Sequence, residues 1–444
     1  MKTVLLALAT LAINSLYAQH TINGTLTPAD NYQYVFLYEC TPDGSNYIDK
    51  GDVSPDGTFS INLKPSQPKG LYKIVYGMPI AENNFEIIYN GEEDIAFNFS
   101  TEKGVEFSQS NENKLWLSYR KSMELINSAM ANFYMQHSTD KAAYNQIIQT
   151  LKNTQASYEE AASGTMVQAF ITSNKPYIPE RYEDLKTYFE NVRIHFWEHM
   201  DFSNNLIQSS DFLTEKVFAF VFEMAPNASE AFYKSQINNL ATSIDDANKN
   251  LKAVLLELVW QEFVNQEQPT IANYITTEYL AQLATETQNE ILYLTITNYR
   301  DTAIGATALD FPIETQENGK PLNTTLHQLS GANQYLLIFW SSTCGHCLNE
   351  LPKVHDYIKQ FPKNTVKVIA FAIEETQQPW AETIKQFPDF MHLYGAGKWD
   401  NPTAKAYGVN ATPNYFLLDK DKHIIAKPFD FEALKKELPA NQKW

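Results

Sequence analysis

The run YLLIFWSSTCGHCLNELP, Tyr335 to Pro352, limits what this chain can fold into more than any other stretch. The apolar residues Tyr335 to Trp340 read as a buried strand. A polar turn, Ser341 to Thr343, follows, and Cys344-Gly345-His346-Cys347 opens what reads as a helix. Two thiols separated by two residues at a strand-to-helix junction form a reactive pair. A thiolate, not a thiol, attacks a disulfide, so the site must lower one pKa. The unpaired N–H groups and the positive dipole end of a helix N-terminus do this for Cys344. Cys344 is therefore the expected nucleophile, and the more covered Cys347 the expected resolving thiol. His346, as a local cation or hydrogen-bond donor, further favours the thiolate and makes the pair more oxidising than one with an apolar residue there. A purely structural disulfide is disfavoured because it closes a tiny loop. A zinc site is disfavoured because no second ligand pair lies at close spacing.

At 444 residues the chain predicts two or three domains. A hydrophobic fraction of 44% predicts that they fold. The formal net charge of -18 argues against nucleic acid and against adsorption to an anionic membrane surface. Lys2, the apolar Val4 to Ile13 and the polar-to-small Asn14 to Ala18 read as a signal peptide, residues 1–18, cleaved after Ala18. Its apolar core falls well short of the roughly 20 residues that span a bilayer. No cysteine follows it for lipid anchoring, and no other membrane-length run occurs. The expectation is a soluble protein of the periplasm or cell envelope, without a transmembrane segment in the mature chain. With 3 cysteines the chain is no disulfide scaffold. Cys40, at the end of VFLYEC, reads as a partly buried small hydrophobe.

Residues 19–108 read as a β-sandwich-like accessory domain. Its expected strands are Tyr34–Tyr38, Thr58–Leu63, Leu71–Tyr76, Phe85–Tyr89 and Ile95–Phe99, with turn pairs Asp43-Gly44, Asp56-Gly57 and Asn90-Gly91. Residues 109–302 read as helical, with apolar faces such as Leu115, Tyr119, Met123, Ile126 and Leu251, Leu255, Leu258, and with Asp211 as an N-cap. In RIHFWEHMDF, His195 and His199 at i, i+4 invite a metal-site reading, with Asp201 nearby. The intervening residues do not make H-E-x-x-H, and ordinary helix surface is the expectation, with no metal.

Residues 303–444 change texture again. A hairpin over Leu309–Ile313 and Leu322 about Asn318-Gly319 is followed by strand 335–340 and the helix from Cys344. Strand Val366–Ala372, a helix around Trp380–Phe387, the hairpin strands Asn414–Leu418 and His423–Ala426, and a helix Phe431–Leu438 complete the chain. That order, strands alternating with helices and then a β-hairpin, resembles the α/β layer order of a thioredoxin-like domain. The fold class expected is thus multidomain: all-β, then α-helical, then α/β.

FWSSTCGHC, followed by Glu350, Leu351 and Pro352, resembles the exported thioredoxin-like thiol–disulfide oxidoreductases of the TlpA/ResA type. YGVNATPNYFLLDKD, Tyr407 to Asp421, is similar to that family's G-V-x-x-T-P-x-x-F-L-x-D segment. The resemblance implies a cis Thr412–Pro413 bond facing the thiols, with Thr412 backbone groups pairing with a substrate strand and Pro413 keeping the thiols from binding metal. Pro352 matches the helix-kinking proline of the fold. ENKLWLSYRKSM and HFWEHMDFSNN look like the accessory halves of large thioredoxin-like proteins exported by Bacteroidota. The chain departs from thioredoxin itself in two places. Thr343 stands where Trp usually precedes the first cysteine, and Ile338 stands where thioredoxins bury an Asp. Glu350 matches the glutamate of the TlpA/ResA type and is the candidate to take over proton transfer.

The expectation is an enzyme, a thiol–disulfide oxidoreductase acting on protein disulfides, with either direction of electron flow open. It needs no cofactor; its partners are protein thiols and disulfides and a membrane electron-transfer partner. A non-catalytic binding or envelope-assembly protein and a peroxiredoxin-like peroxidase are the alternatives.

Overall fold

The computed structural model describes residues 20–42, 44–224, 228–317 and 320–439. The signal-peptide stretch, Asp43 and the Asn318-Gly319 turn lie outside them. The chain divides into two compact units, one from residues 1–229 with 238–251, the other from 230–237 with 252–444. The helices of the middle segment are shared between the two.

The first unit holds strands β1 (Thr21–Thr27), β2 (Tyr34–Thr41), β3 (Gly44–Asp52), β4 (Thr58–Asn62), β5 (Gly70–Val75), β6 (Asn84–Tyr89), β7 (Ile95–Ser100) and β8 (Gly104–Gln109). They form two four-stranded sheets, ordered β4-β1-β7-β8 and β3-β2-β5-β6. Ile22, Leu26, Ile61, Ile95 and Phe97 of one meet Val35, Leu37, Ile74 and Ile87 of the other in one buried core. Three of these strands were not expected from the sequence. β3 and β8 are edge strands and largely exposed; β3 carries no apolar alternation, and β8 offers only Val105 and Phe107, half-buried against the core. β1 alternates inward as Ile22, Gly24, Leu26. Gly24 interrupts the apolar pattern for a packing reason: a Cβ there would come within 2.3 Å of the Phe59 ring.

The long helix Asn111–Met135 buries Tyr119, Met123 and Ile126. Its first turn is tied to β6, where the Asn113 amide accepts from the Ile88 N–H and donates to the Ile88 carbonyl, both at 2.8 Å. Asp211 is the first residue of the helix Asp211–Phe218 rather than its cap, which is Ser210. The Asp211 N–H is satisfied from another element, by the Glu86 carboxylate of β6 at 2.8 Å. The helix Leu185–Ile194 stops at His195, so His195 and His199 do not share a helix face. His195 stacks on Tyr177 and pairs with Glu198 at 2.8 Å. Among the described residues no group of three or more His, Cys, Asp and Glu side chains is placed to hold a metal.

The second unit adds helices to a hairpin, β9 (Pro312–Glu317) and β10 (Lys320–Thr325), and to a five-stranded sheet. The sheet strands are β11 (Gln334–Trp340), β12 (Val366–Glu374), β13 (Met391–Ala396), β14 (Asn414–Asp419) and β15 (Ile424–Ala426), in the order β13-β12-β11-β14-β15. β11, β12 and β13 run parallel; β14 is antiparallel to β11, and β15 is antiparallel to β14. Central β11 is buried on both faces, which explains its unbroken apolar run. Tyr335, Leu337 and Phe339 enter one core, and Leu336, Ile338 and Trp340 the other.

Strand β13 and the helix Pro402–Ala406 were not expected. As in β1, glycine masks the strand. Gly395 points inward, where a Cβ would lie 2.4 Å from the Phe371 ring. The helix expected around Trp380–Phe387 is Gln377–Thr383, continued by a 3-10 turn to Gln386.

Candidate active site

β11 delivers the chain from the middle of the sheet into the turn Ser341–Thr343, and the helix Gly345–Ile358 leaves it. Cys344 is the N-cap of that helix, with its N–H donated to the Ser341 carbonyl at 3.1 Å. The turn is held from the neighbouring strand. Buried Glu374, the last residue of β12, accepts from Ser341 Oγ at 3.1 Å and from the Ser342 N–H. No sequence reasoning had singled out Glu374. The available signal was an acidic residue ending the apolar run VKVIAFAIE, an unusual place for a charge unless it has partners.

The two thiols stand in different surroundings. Cys344 is partly exposed, and its Sγ accepts from the Cys347 N–H at 3.4 Å and lies 3.3 Å from the Thr412 carbonyl, to which the thiol donates. Partial burial works against its thiolate. A hydrogen bond with the Thr412 side chain and those from the Cys347 and His346 N–H groups outweigh this and hold its pKa below the ordinary thiol value. Cys347 is fully buried, and burial pushes its thiol up to about 12, with the Ser341 N–H opposing the rise. His346 is exposed on the first helical turn. Cys40, at the end of β2 in the first unit, is buried, and burial pushes its thiol up to about 12.

The Thr412–Pro413 bond is cis and precedes β14, which brings Thr412 against Cys344. Pro352 lies inside the active-site helix, where it returns no N–H to the preceding turn. Glu350, two residues earlier, is not a solvated helix side chain. One carboxylate oxygen accepts from the Phe431 N–H at 2.6 Å and lies 3.5 Å from the Tyr415 hydroxyl; the other faces Lys353 Nζ at 3.2 Å. Tyr415 of β14 is buried, and sequence reasoning had not marked it. Burial pushes its hydroxyl pKa up, and the charges of Glu350 and Cys347 add to the rise.

One side of the sheet thus brings together Cys344, Cys347, Glu350, Thr412 and Pro413, five positions separated by up to 69 residues in the chain (413 minus 344). The arrangement suits thiol exchange: an accessible thiol whose pKa is lowered beside a buried one whose pKa is raised, with a carboxylate on the same helix.

The comparisons agree with that chemistry. A family model described as thioredoxin-like matches residues 333–424. The thiol-disulfide oxidoreductase ResA of Bacillus thuringiensis subsp. konkukian is 30% identical over 122 residues, covering 28% of this chain and 67% of that protein. ResA of Geobacillus thermodenitrificans is 28% identical over 141 residues, covering 31% and 76%. Among solved structures, a thioredoxin-like protein from Bacteroides caccae aligns over 60% of this chain and 98% of its own at 18% identity and a TM-score of 0.39. StoA from Bacillus subtilis aligns over 30% and 98% at 25% identity and a TM-score of 0.24. Through its thioredoxin-like domain, the chain belongs to the ResA family of thiol–disulfide oxidoreductases.

Proposed function

We propose that the protein is an exported enzyme that exchanges dithiol and disulfide with protein substrates through Cys344 and Cys347. The observation that carries this is the asymmetry of the pair: a partly exposed thiol with a lowered pKa, and a fully buried one raised to about 12. Cys344 attacks a substrate disulfide. Cys347 then attacks Cys344 in the mixed disulfide and releases the reduced substrate; the reverse sequence oxidises a dithiol. Thr412 and Pro413 dock the substrate backbone beside Cys344, His346 tunes the potential from the exposed turn, and Glu350 accepts the Cys347 proton. Export rests on the leader read at residues 1–18. Among the described residues no helix is long and apolar enough to cross a membrane, so an electron donor in the membrane would act as a separate partner. Residues 303–444 carry the chemistry in this reading, and the β segment 19–108 and helical segment 109–302 act as accessories.

Net direction is set by the reduction potential of the pair against its partners. The test is a pair of variants assayed with a protein disulfide such as insulin. Cys344→Ala is expected to abolish exchange, whereas Cys347→Ala should accumulate a mixed disulfide visible on non-reducing gels. Exchange that survives Cys344→Ala would overturn the reading, because it would not pass through Cys344.

A further inference from the structure

Cys347 is buried and protonated, and the place where thioredoxins bury a carboxylate holds Ile338. The residue directly opposite Ile338 across the β11–β14 pair is Tyr415. Directly opposed side chains of an antiparallel pair lie on the same face of a sheet. Ile338, Tyr415 and Cys347 accordingly share one buried core, with Trp340 and Leu351. The Tyr415 side chain is buried in that core, and its hydroxyl lies 3.5 Å from Glu350 Oε2, the long end of hydrogen-bond distance. Glu350 is fixed there by the Phe431 N–H at 2.6 Å.

We infer that Tyr415 is a proton-relay residue linking Cys347 to Glu350, so that the buried polar group absent from position 338 is supplied by its cross-strand neighbour. The inference rests on the proposed role of Glu350 as proton acceptor. In the step it serves, the Cys347 S–H proton passes to the Tyr415 oxygen as the Tyr415 O–H proton passes to the Glu350 carboxylate. The tyrosine is neutral before and after. The Cys347 thiolate then attacks Cys344 Sγ, forming the Cys344–Cys347 disulfide and breaking the mixed disulfide. The substrate sulfur leaves as a thiolate, reduced, and the two cysteines are oxidised by the same electron pair. A neutral relay suits a phenol whose ionisation is opposed by burial and by the charges of Glu350, Cys347 and Asp430 around it. Lys353, paired with Glu350, is the cation on the far side.

The test follows resolution of a preformed mixed disulfide between Cys344 and a fluorescent peptide, in the full chain, across pH. Tyr415→Phe removes only the hydroxyl. It is expected to slow resolution by about 100-fold, the lower end of what a positioned proton-transfer group contributes. It should also shift the pH profile upward and leave alkylation of Cys344 by iodoacetamide unchanged. Glu350→Gln should do the same, and the double variant should be no slower than either single one. Normal resolution in Tyr415→Phe with slow resolution in Glu350→Gln overturns the relay and leaves Glu350 as acceptor. Normal resolution in both overturns the Glu350 reading as well. A merely structural role would slow resolution equally at every pH, which also overturns the relay. The wild-type chain provides a second measurement independent of any variant's folding. Its resolution rate in mixed light and heavy water should depend quadratically on deuterium fraction, as two protons in flight require, and a linear dependence overturns the relay.

Discussion

At the residue scale, the contrast between the two thiols follows from where each sulfur sits on one helix. Cys344 caps the helix and receives its first N–H groups; Cys347, one turn on, faces the core. The physical consequence is a split titration. Cys344 is expected to alkylate with a midpoint below the ordinary thiol value of about 8.5. Cys347 should stay unreactive through that range because burial raises it to about 12. Mass mapping of iodoacetamide adducts against pH checks this, and two thiols titrating together near the ordinary value would contradict it. The residue pattern C-x-x-C was readable from the sequence because it is local. Tyr415 was not, because its importance comes from facing Ile338, 77 positions away (415 minus 338).

At the scale of elements, the active-site turn depends on a strand that contributes no sulfur chemistry. β12 ends in Glu374, and its carboxylate spans Ser341 Oγ and the Ser342 N–H across the parallel β11–β12 pair. Ser341 in turn supplies the carbonyl that receives the Cys344 N–H and an N–H that favours the Cys347 thiolate. Glu374→Ala would leave the buried Ser342 N–H without its acceptor, at a cost of about 1–3 kcal/mol. The expected result is that loss in denaturant unfolding together with slower alkylation of Cys344. Glu374→Gln, which keeps an acceptor, should lie between the two. Unchanged stability and reactivity in the alanine variant would show that the turn holds itself. Sequence patterning placed β11, β12 and β14 well because buried strands read as apolar runs. It missed β1 and β13 because Gly24 and Gly395 occupy inward positions, and it missed the edge strands because β3 has no apolar alternation and β8 only Val105 and Phe107.

At the scale of the whole molecule, the chain carries a formal net charge of -18, yet its pH response is set by buried groups rather than by that total. In the first unit, burial pushes the Glu86 carboxyl up to about 8; Asp211 and Glu215 add to the rise and Lys73 opposes it. A carboxyl with a raised folded pKa binds its proton more tightly folded than unfolded. Its contribution to stability is therefore full below the unfolded value of about 4.3 and is lost as pH rises through about 8. Each unit of pKa difference is worth about 1.4 kcal/mol, so the thermal stability of the first unit should fall measurably between pH 5 and 9. Glu86→Gln should flatten that dependence and raise the melting temperature at pH 9. An unchanged slope would show that Glu86 is solvated.

The sequence alone determined the chemistry of this protein and the order of its parts. Covalent spacing put two thiols at a helix start, apolar runs marked the central strands, and the T-P segment and Glu350 could be matched by motif. These are local properties, readable wherever a few neighbouring residues suffice. Only the tertiary structure decided what surrounds the sulfurs. Strand register set Tyr415 opposite Ile338, the parallel neighbour placed Glu374 under the turn, and the Phe431 N–H fixed the Glu350 carboxylate. Those contacts join residues far apart in the chain. No local pattern encodes them, because they follow from how strands pair and which faces they bury.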